Sequence, residues 1–338
     1  MPDLEKNLQE FQSARQYNTF PSQENYYQLY INAKNWLAQK ILNKTGIKVA
    51  CDGEGFYTDH SIDHCDAIIK IANLCLDSVN NNSLSPYETY LLLISILVHD
   101  AGMIYGREDH GANCRKIGED MPNLLPANAF ERTSIYKIAG AHHGRTIFGS
   151  KDTIGALGEV ETLNNIKFRP ALIASLIRLF DEISEDHTRA AGYLLEHQQL
   201  PEESIIHHAY ASSIRSVSYI SKGIEIIYCL NKKDLENKYI LMHNGVKEEI
   251  YLFDWICKRF AKINNERQYC ASYMWGFLQL EHVTAKIQVF DEELYDIKNI
   301  SIKGKDNFSL DKITESNIHI ENNYDGELLK QEVFASEQ

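Results

Sequence analysis

The chain has 338 residues, 24% of them charged and 44% hydrophobic, enough to bury a substantial core in one large domain or two modest ones. Its formal charge of -13 argues against a duplex nucleic-acid binder, which needs Lys and Arg massed on one surface. Seven cysteines without a Cys-x-x-Cys spacing argue against a disulfide framework or a thiolate zinc site and fit a reducing cytoplasm.

The opening Met1-Pro2-Asp3-Leu4-Glu5-Lys6 lacks the basic and apolar parts of a secretion signal. No apolar run reaches a bilayer span, so no membrane segment is expected. Residues 1–22 are polar, hold Pro2 and Pro21, and read as a loose arm. Apolar spacing then predicts a helix over about 24–42, and Gly53 and Gly55 mark a loop. Ile62, Cys65, Ile69, Ala72 and Leu76 recur at intervals of three and four, an amphipathic helix that Asn80-Asn81-Asn82-Ser83 ends. Ser85-Pro86-Tyr87-Glu88 opens the next with a serine cap, proline at the first helical position and an early acid. That helix is apolar nearly all round, which predicts a central position.

Further helices are expected over about 110–119, 129–142, 166–184 and 189–197. Gly144, Gly149, Gly155 and Gly158 predict a mobile loop or short hairpin between the third and the second of these. Beyond about 203, short strands are expected at 214–220, 224–230, 239–242 and 283–290, with turns at Lys222-Gly223 and Asn244-Gly245 and one helix over about 247–263. The reading is a mainly α protein: an arm over 1–22, a helical domain over 23–203, a smaller α+β region over 204–316 and an acidic tail over 317–338.

The residues that carry chemistry cluster in the helical part. His99-Asp100 ends the apolar run Leu91-Leu92-Leu93-Ile94-Ser95-Ile96-Leu97-Val98. Upstream lies Asp59-His60-Ser61-Ile62-Asp63-His64; downstream come His110, the pair His142-His143 followed by Gly144-Arg145, and Asp181. In this order they resemble the His…His-Asp…His…His-His…Asp pattern of the HD superfamily of metal-dependent phosphohydrolases. The pair alone is a weak signal, because His207-His208 also occurs outside the pattern.

The resemblance implies an HD-type helical bundle in which His64, His99, Asp100 and Asp181 meet in the core. Two imidazoles and two carboxylates without thiolate suit a divalent ion such as Mn, Fe, Co, Ni, Mg or Zn. Such an ion lowers the pKa of a bound water and polarises a phosphoryl oxygen. In two-metal members, including the HD-GYP cyclic dinucleotide phosphodiesterases, a later His and a His-His pair hold a second ion. Here those would be His110, His142 and His143, with Asp100 bridging, so one ion or two remain open. His60, four residues before His64 on one helix face, is either a group behind the ligand or a ligand itself.

The expected catalytic set is Asp100, His110, His143 and Arg145, the last as a phosphate contact because guanidinium matches phosphate in two-point contacts. Arg107 is a further phosphate candidate. Arg178 and Arg189 are read as ion-pair partners of Glu182, Glu185 or Asp186. HD-GYP proteins carry a Lys soon after the His-Asp pair and a Gly-Tyr-Pro after the His-His pair. The sequence here is His99-Asp100-Ala101-Gly102-Met103 and His142-His143-Gly144-Arg145-Thr146, which argues against cyclic di-GMP. Residues 58–67, the His-Asp-Ala-Gly-Met segment and residues 169–181 look most similar to HD domains that accompany Hsp90-like ATPases in bacterial conflict systems, which are thought to process nucleotides.

The expected function is a cytoplasmic phosphohydrolase acting on a nucleotide or other phosphorylated small molecule. Neither an extended duplex surface nor a membrane partner is expected, and the oligomeric state is left open. Two alternatives stand beside it: an iron-pair oxygenase of the same fold, and a sensor or partner-binding module in which the metal is structural.

Overall fold

A computed structural model of the chain describes residues 3–14, 19–42, 58–77, 79, 84–106, 110–121, 123–143, 145, 146, 149–243, 246–308 and 317–335. Gly53, Gly55, the Asn80-Asn81-Asn82-Ser83 stop, Arg107, Gly144 and the Asn244-Gly245 turn lie outside the described residues. The chain divides into two compact units, one of Met1–Asp52, His60–Ser184 and Cys270–Leu278, the other of Gly53–Asp59, Glu185–Tyr269 and Gln279–Gln338.

The first unit is a helical bundle built around one apolar helix. Its helices are α1 (Leu4–Ser13), α2 (Tyr26–Lys40), α3 (Ile62–Leu76), α4 (Pro86–Val98), α5 (His110–Asp120), α6 (Ala129–Gly140) and α7 (Pro170–Ile183). Helix α4 starts as its sequence dictates: the Ser85 hydroxyl accepts from the Glu88 amide and the Glu88 carboxylate accepts from the Ser85 amide, with Pro86 at the first turn. Tyr87 through Val98 are all buried, and α1, α2, α3, α6 and α7 pack around them. Each fully buried Leu or Ile in that run contributes about 1.5–3 kcal/mol of transfer free energy. The stretch Pro86–Tyr105 has the length and apolarity of a membrane span, but 94% of its apolar window is buried, as in the core helix of a bundle.

Two parallel helices of matched length set up the site. The Glu88 carboxylate, 3% exposed, receives Arg169 in a two-point contact at 2.7 and 2.8 Å and also accepts from the Arg169 backbone amide. This pins the start of α7 to the start of α4. At a rise of about 1.5 Å per residue, the eleven residues from Glu88 to His99 and the twelve from Arg169 to Asp181 cover nearly equal lengths, so the two chemical ends arrive together.

Two local expectations change, and the short hairpin expected as one option for the glycine-bearing stretch is found at its end. Residues 1–22 are not simply a loose arm: Asp3 caps α1, Leu4 and Leu8 are buried, and the Tyr30 hydroxyl donates to Glu5 at 2.6 Å. The helix expected from 166 begins at Pro170 instead. Residues 166–168 form β2 (Ile166–Phe168), which pairs antiparallel with β1 (Glu161–Leu163) around Asn164 and Asn165 at positive φ. The glycine-bearing loop before this hairpin is anchored at its far end, where the Asp152 carboxylate accepts from the Gly155 amide at 2.9 Å and from the Tyr273 hydroxyl at 2.7 Å.

The second unit is α+β. Helices α8 (Gly192–Glu196) and α9 (Glu202–Ser213) precede strands β3 (Ile214–Ile220) and β4 (Gly223–Asn231), and the hairpin β5 (Tyr239–His243) and β6 (Val246–Ile250) follows. Then come α10 (Leu252–Met274), whose residues from Cys270 on belong to the first unit, β7 (His282–Phe290), β8 (Asp296–Gly304), β9 (Ile318–Ile320) and α11 (Gly326–Ala335). The main sheet has the order β3-β4-β7-β8-β9, with β4 and β7 parallel and the other pairs antiparallel. Ile224, Ile226, Tyr228 and Leu230 alternate inward opposite Val283, Ala285, Ile287 and Val289, the period-two pattern of a sheet with one buried face.

The helix expected over 247–263 starts later and runs further. Residues 246–250 are strand because β5 needs a partner, and Tyr239 pairs with Ile250 in its register. Residues 264–267 broke the apolar pattern with Asn-Asn-Glu-Arg, yet all four are buried. The Arg267 guanidinium reaches the carbonyls of Leu280 and Glu281 and the Asp306 carboxylate, and the Asn264 amide reaches the Lys305 and Asn317 carbonyls. The expected acidic tail holds β9 and α11, where Leu329 and Val333 are buried.

Candidate metal centre

The cluster is assembled in the first unit from five places. His64 lies on α3, which Ser61 caps; His99 and Asp100 end α4; His110 opens α5; His142 follows the end of α6; Asp181 sits on the last turn of α7. Two groups of ligand atoms result, each with all its atoms within 4.8 Å of one another: His64, His99, Asp100 and Asp181 in one, Asp100, His110 and His142 in the other.

Asp100 belongs to both, and its two oxygens divide the work. Oδ2 is 3.2 Å from His99 Nε2 and 3.9 Å from His64 Nε2, whereas Oδ1 is 3.3 Å from His110 Nε2 and 3.5 Å from His142 Nε2. Asp181 Oδ1 completes the first group at 3.0 Å from His64 Nε2 and 3.6 Å from His99 Nε2. All these side chains are buried except that of Asp181, which is 27% exposed and opens the first group to solvent.

Backbone carbonyls fix the rings. His99 Nδ1 donates to the Ile96 carbonyl at 2.7 Å, and His142 Nδ1 donates to the Ala139 carbonyl at 2.5 Å. Each bond places the proton on Nδ1 and turns the Nε2 lone pair toward the cluster, the arrangement metal-binding imidazoles use. Cys65 adds a thiol donor to the same Ile96 carbonyl at 3.5 Å, and Cys114 donates to the carbonyls of Val98 and His99 at 2.9 and 3.1 Å.

Charge follows from this geometry. Although burial opposes it, the surrounding imidazoles hold the Asp100 and Asp181 carboxyls well below the usual carboxylate range. Burial pulls His99 down, but the Asp100 and Asp181 carboxylates prevail and raise it well above the ordinary histidine value. Burial keeps His142 low, hence neutral, with its lone pair available.

The residues fit a divalent ion. His99 Nε2 is fully buried and makes no aligned hydrogen bond, with the Asp100 and Asp181 carboxylate oxygens at 3.2 and 3.6 Å, so a proton or a cation is needed among these atoms. Imidazole and carboxylate with no thiolate make a donor set suited to first-row metals and magnesium.

Of the other expected site residues, His143 lies outside both ligand groups. It is exposed, with its ring centre 4.6 Å from that of His110. Arg145 is also exposed, and its guanidinium donates to the Gly149 carbonyl at 2.7 Å. The His60 ring packs edge-on to His64 with centres 5.7 Å apart. Arg178 bonds the Thr153 hydroxyl at 3.0 Å, and Arg189, in the second unit, pairs with Glu185 at 3.8 Å.

Three glycines carry part of the design. A Cβ on Gly102 would stand 2.1 Å from the His110 carbonyl oxygen, so the chain after the His-Asp pair reaches α5 only because this residue has no side chain. Gly111 and Gly140 meet face to face, each prospective Cβ 3.1 Å from the other's carbonyl oxygen. They let the helix ends that bear His110 and His142 converge. The signal was present in the sequence, since a glycine adjoins His110 and another lies two residues before His142.

The HD-CE family model matches residues 54–262, more than half of the chain, and the chain belongs to the HD-CE family. No curated protein and no solved structure matches it.

Proposed function

We propose that the protein is a metal-dependent phosphohydrolase that cleaves a phosphate ester or phosphodiester of a nucleotide. The observation that carries this reading is the division of Asp100, with one oxygen facing His64 and His99 and the other facing His110 and His142. His64, His99, Asp100 and Asp181 would hold one ion, and Asp100, His110 and His142 a second. Ions held there would supply an activated water and neutralise charge developing on phosphorus.

The chain's own residues do the rest. The Ile96 and Ala139 carbonyls keep His99 and His142 in the tautomer that presents Nε2, and the buried helix ends exclude bulk water from the inner faces of Asp100 and His99. Asp181 stands on the open side. Exposed beside His110, His143 would pass a proton to a leaving oxygen. Arg145 uses one guanidinium N–H on the Gly149 carbonyl, and the fork offers further donors for a phosphate. The likeness of three segments to HD domains that accompany Hsp90-like ATPases supports a nucleotide as the substrate class.

The test is to incubate protein loaded with manganese, cobalt or iron with mono-, di-, tri- and cyclic nucleotides and to identify products by mass. Phosphate release or diester opening supports the reading. Oxygen uptake by the iron form without hydrolysis would replace it with an oxygenase, and affinity without product would make the site a sensor.

A further inference from the structure

Thr153 lies eleven residues beyond His142 and was not among the expected site residues. It is 7% exposed, and its hydroxyl makes two bonds. It donates to the Ala141 carbonyl at 2.6 Å and accepts from Arg178 Nη1 at 3.0 Å. Ala141 is the residue before His142, and Arg178 lies on α7 one turn before Asp181. The elbow that carries Thr153 is itself fixed, because the adjacent Asp152 carboxylate holds Gly155 and Tyr273.

We propose that Thr153 is a positioning residue for the second ion, a bolt between the helix that bears Asp181 and the turn that bears His142. The inference rests on the reading that Asp100, His110 and His142 hold an ion. His142 reaches Asp100 from a turn whose amides bond back to α6, Ala141 to the Lys137 and Ile138 carbonyls and His142 to the Ala139 carbonyl, while the Ala141 carbonyl is held by Thr153. The His142 ring is aimed by the Ala139 carbonyl, but the position of the turn is set by whatever holds Ala141. Only a hydroxyl can serve there, since the group must donate to a carbonyl and accept from a guanidinium at once. Threonine also fixes its own rotamer through the branch at Cβ, which keeps the hydroxyl aimed. The first group, His64, His99, Asp100 and Asp181, lies on helices α3, α4 and α7 and does not depend on this turn. The bolt therefore sets the second ion and leaves the first alone.

The experiment uses Mn2+ alone as the probe on the full chain, with metal counted by equilibrium dialysis and by electron paramagnetic resonance. Wild type should bind two ions, the second giving an exchange-coupled signal. Thr153→Val keeps the shape and removes the hydroxyl. It should weaken the second ion about tenfold, the low end of what outer-shell partners typically cause, leave the first unchanged, and show the six-line signal of isolated Mn2+ at intermediate loading. Thr153→Ser should restore the coupled signal, which a merely structural role would not require. Arg178→Met cuts the same link from the other side and carries the test if Thr153→Val does not fold. Two ions with wild-type affinities in Thr153→Val, or in Arg178→Met, would overturn the inference while leaving the two-ion reading intact. A wild type that binds only one Mn2+ would instead overturn the two-ion reading itself, before any variant is compared.

Discussion

The Nε2 atoms of His110 and His142 face each other across 3.1 Å, each also within 3.5 Å of the same Asp100 oxygen. With His142 Nδ1 already donating to a carbonyl, its Nε2 offers only a lone pair, so something positive must lie between these atoms: a proton or a metal ion. Metal should therefore stabilise the first unit. At about a hundredfold excess over its dissociation constant, one bound ion adds about 2.7 kcal/mol. Differential scanning calorimetry should show Tm rising by roughly 5–10 °C with Mn2+ or Co2+ and falling back with chelator. A His142→Ala variant should lose part of that rise. An unchanged Tm in wild type would speak against binding.

Gly102 gives a second, purely steric prediction. Its substitution by Ala places a methyl group 2.1 Å from the His110 carbonyl oxygen, too close for any adjustment short of moving the start of α5. Gly102→Ala should cost about 1–3 kcal/mol by urea denaturation and should reduce the metal held by His110 and His142. Wild-type stability together with full metal content would mean that the segment has room.

A pH effect is expected in the second unit. In the second unit the Glu185 carboxylate accepts from Arg259 at 2.9 Å and stands 3.8 Å from Arg189. Burial alone would raise its pKa, but the charges of Arg259 and Arg189 lower it from 4.5 to about 2. Because the folded value is depressed, the stabilisation is fully present above the unfolded value and is lost as pH falls from about 4.5 through about 2. Glu185→Gln should therefore cost about 3 kcal/mol at pH 7, and the gap to wild type should close toward pH 2. A gap of equal size at both pH values would reject the ion pair as its source.

How much of this could be read in advance depends on how locally each feature is written. His99-Asp100 stands out because two polar residues end an otherwise wholly buried helix, and the serine cap and Pro86 marked where that helix begins. The same logic failed at 246–250, where Lys-Glu-Glu is as compatible with a helix as with a hairpin and the pairing to Tyr239 decides. In the first helix Leu4, Leu8 and Phe11 do fall at helical spacing, but three apolar residues over ten in an otherwise polar stretch do not by themselves tell a docked helix from a loose arm. Gly102, Gly111 and Gly140 lay in view beside the ligands, but what they permit is a close approach between segments, which one-dimensional spacing does not encode. Thr153 was least legible, because it acts on His142 through the carbonyl of a neighbouring residue.

Arg145 tests the proposed substrate contact. If its guanidinium meets a substrate phosphate, Arg145→Ala should raise KM on the order of tenfold to a hundredfold, the loss of one charged hydrogen bond, with metal content unchanged. Arg145→Lys should recover part of it, since charge remains and the planar fork is gone. Kinetics equal to wild type would leave Arg145 as the residue that closes the turn onto the Gly149 carbonyl.

The central claim is that Asp100 joins two ion sites through its two oxygens, and metal counting on Asp100→Asn measures it most directly. The variant keeps the size of the side chain and removes its charge. Metal analysis by mass spectrometry, with circular dichroism to confirm the fold, should find about two ions per wild-type chain and close to none in Asp100→Asn, together with loss of nucleotide hydrolysis. A folded Asp100→Asn protein that keeps the wild-type metal content would contradict the account.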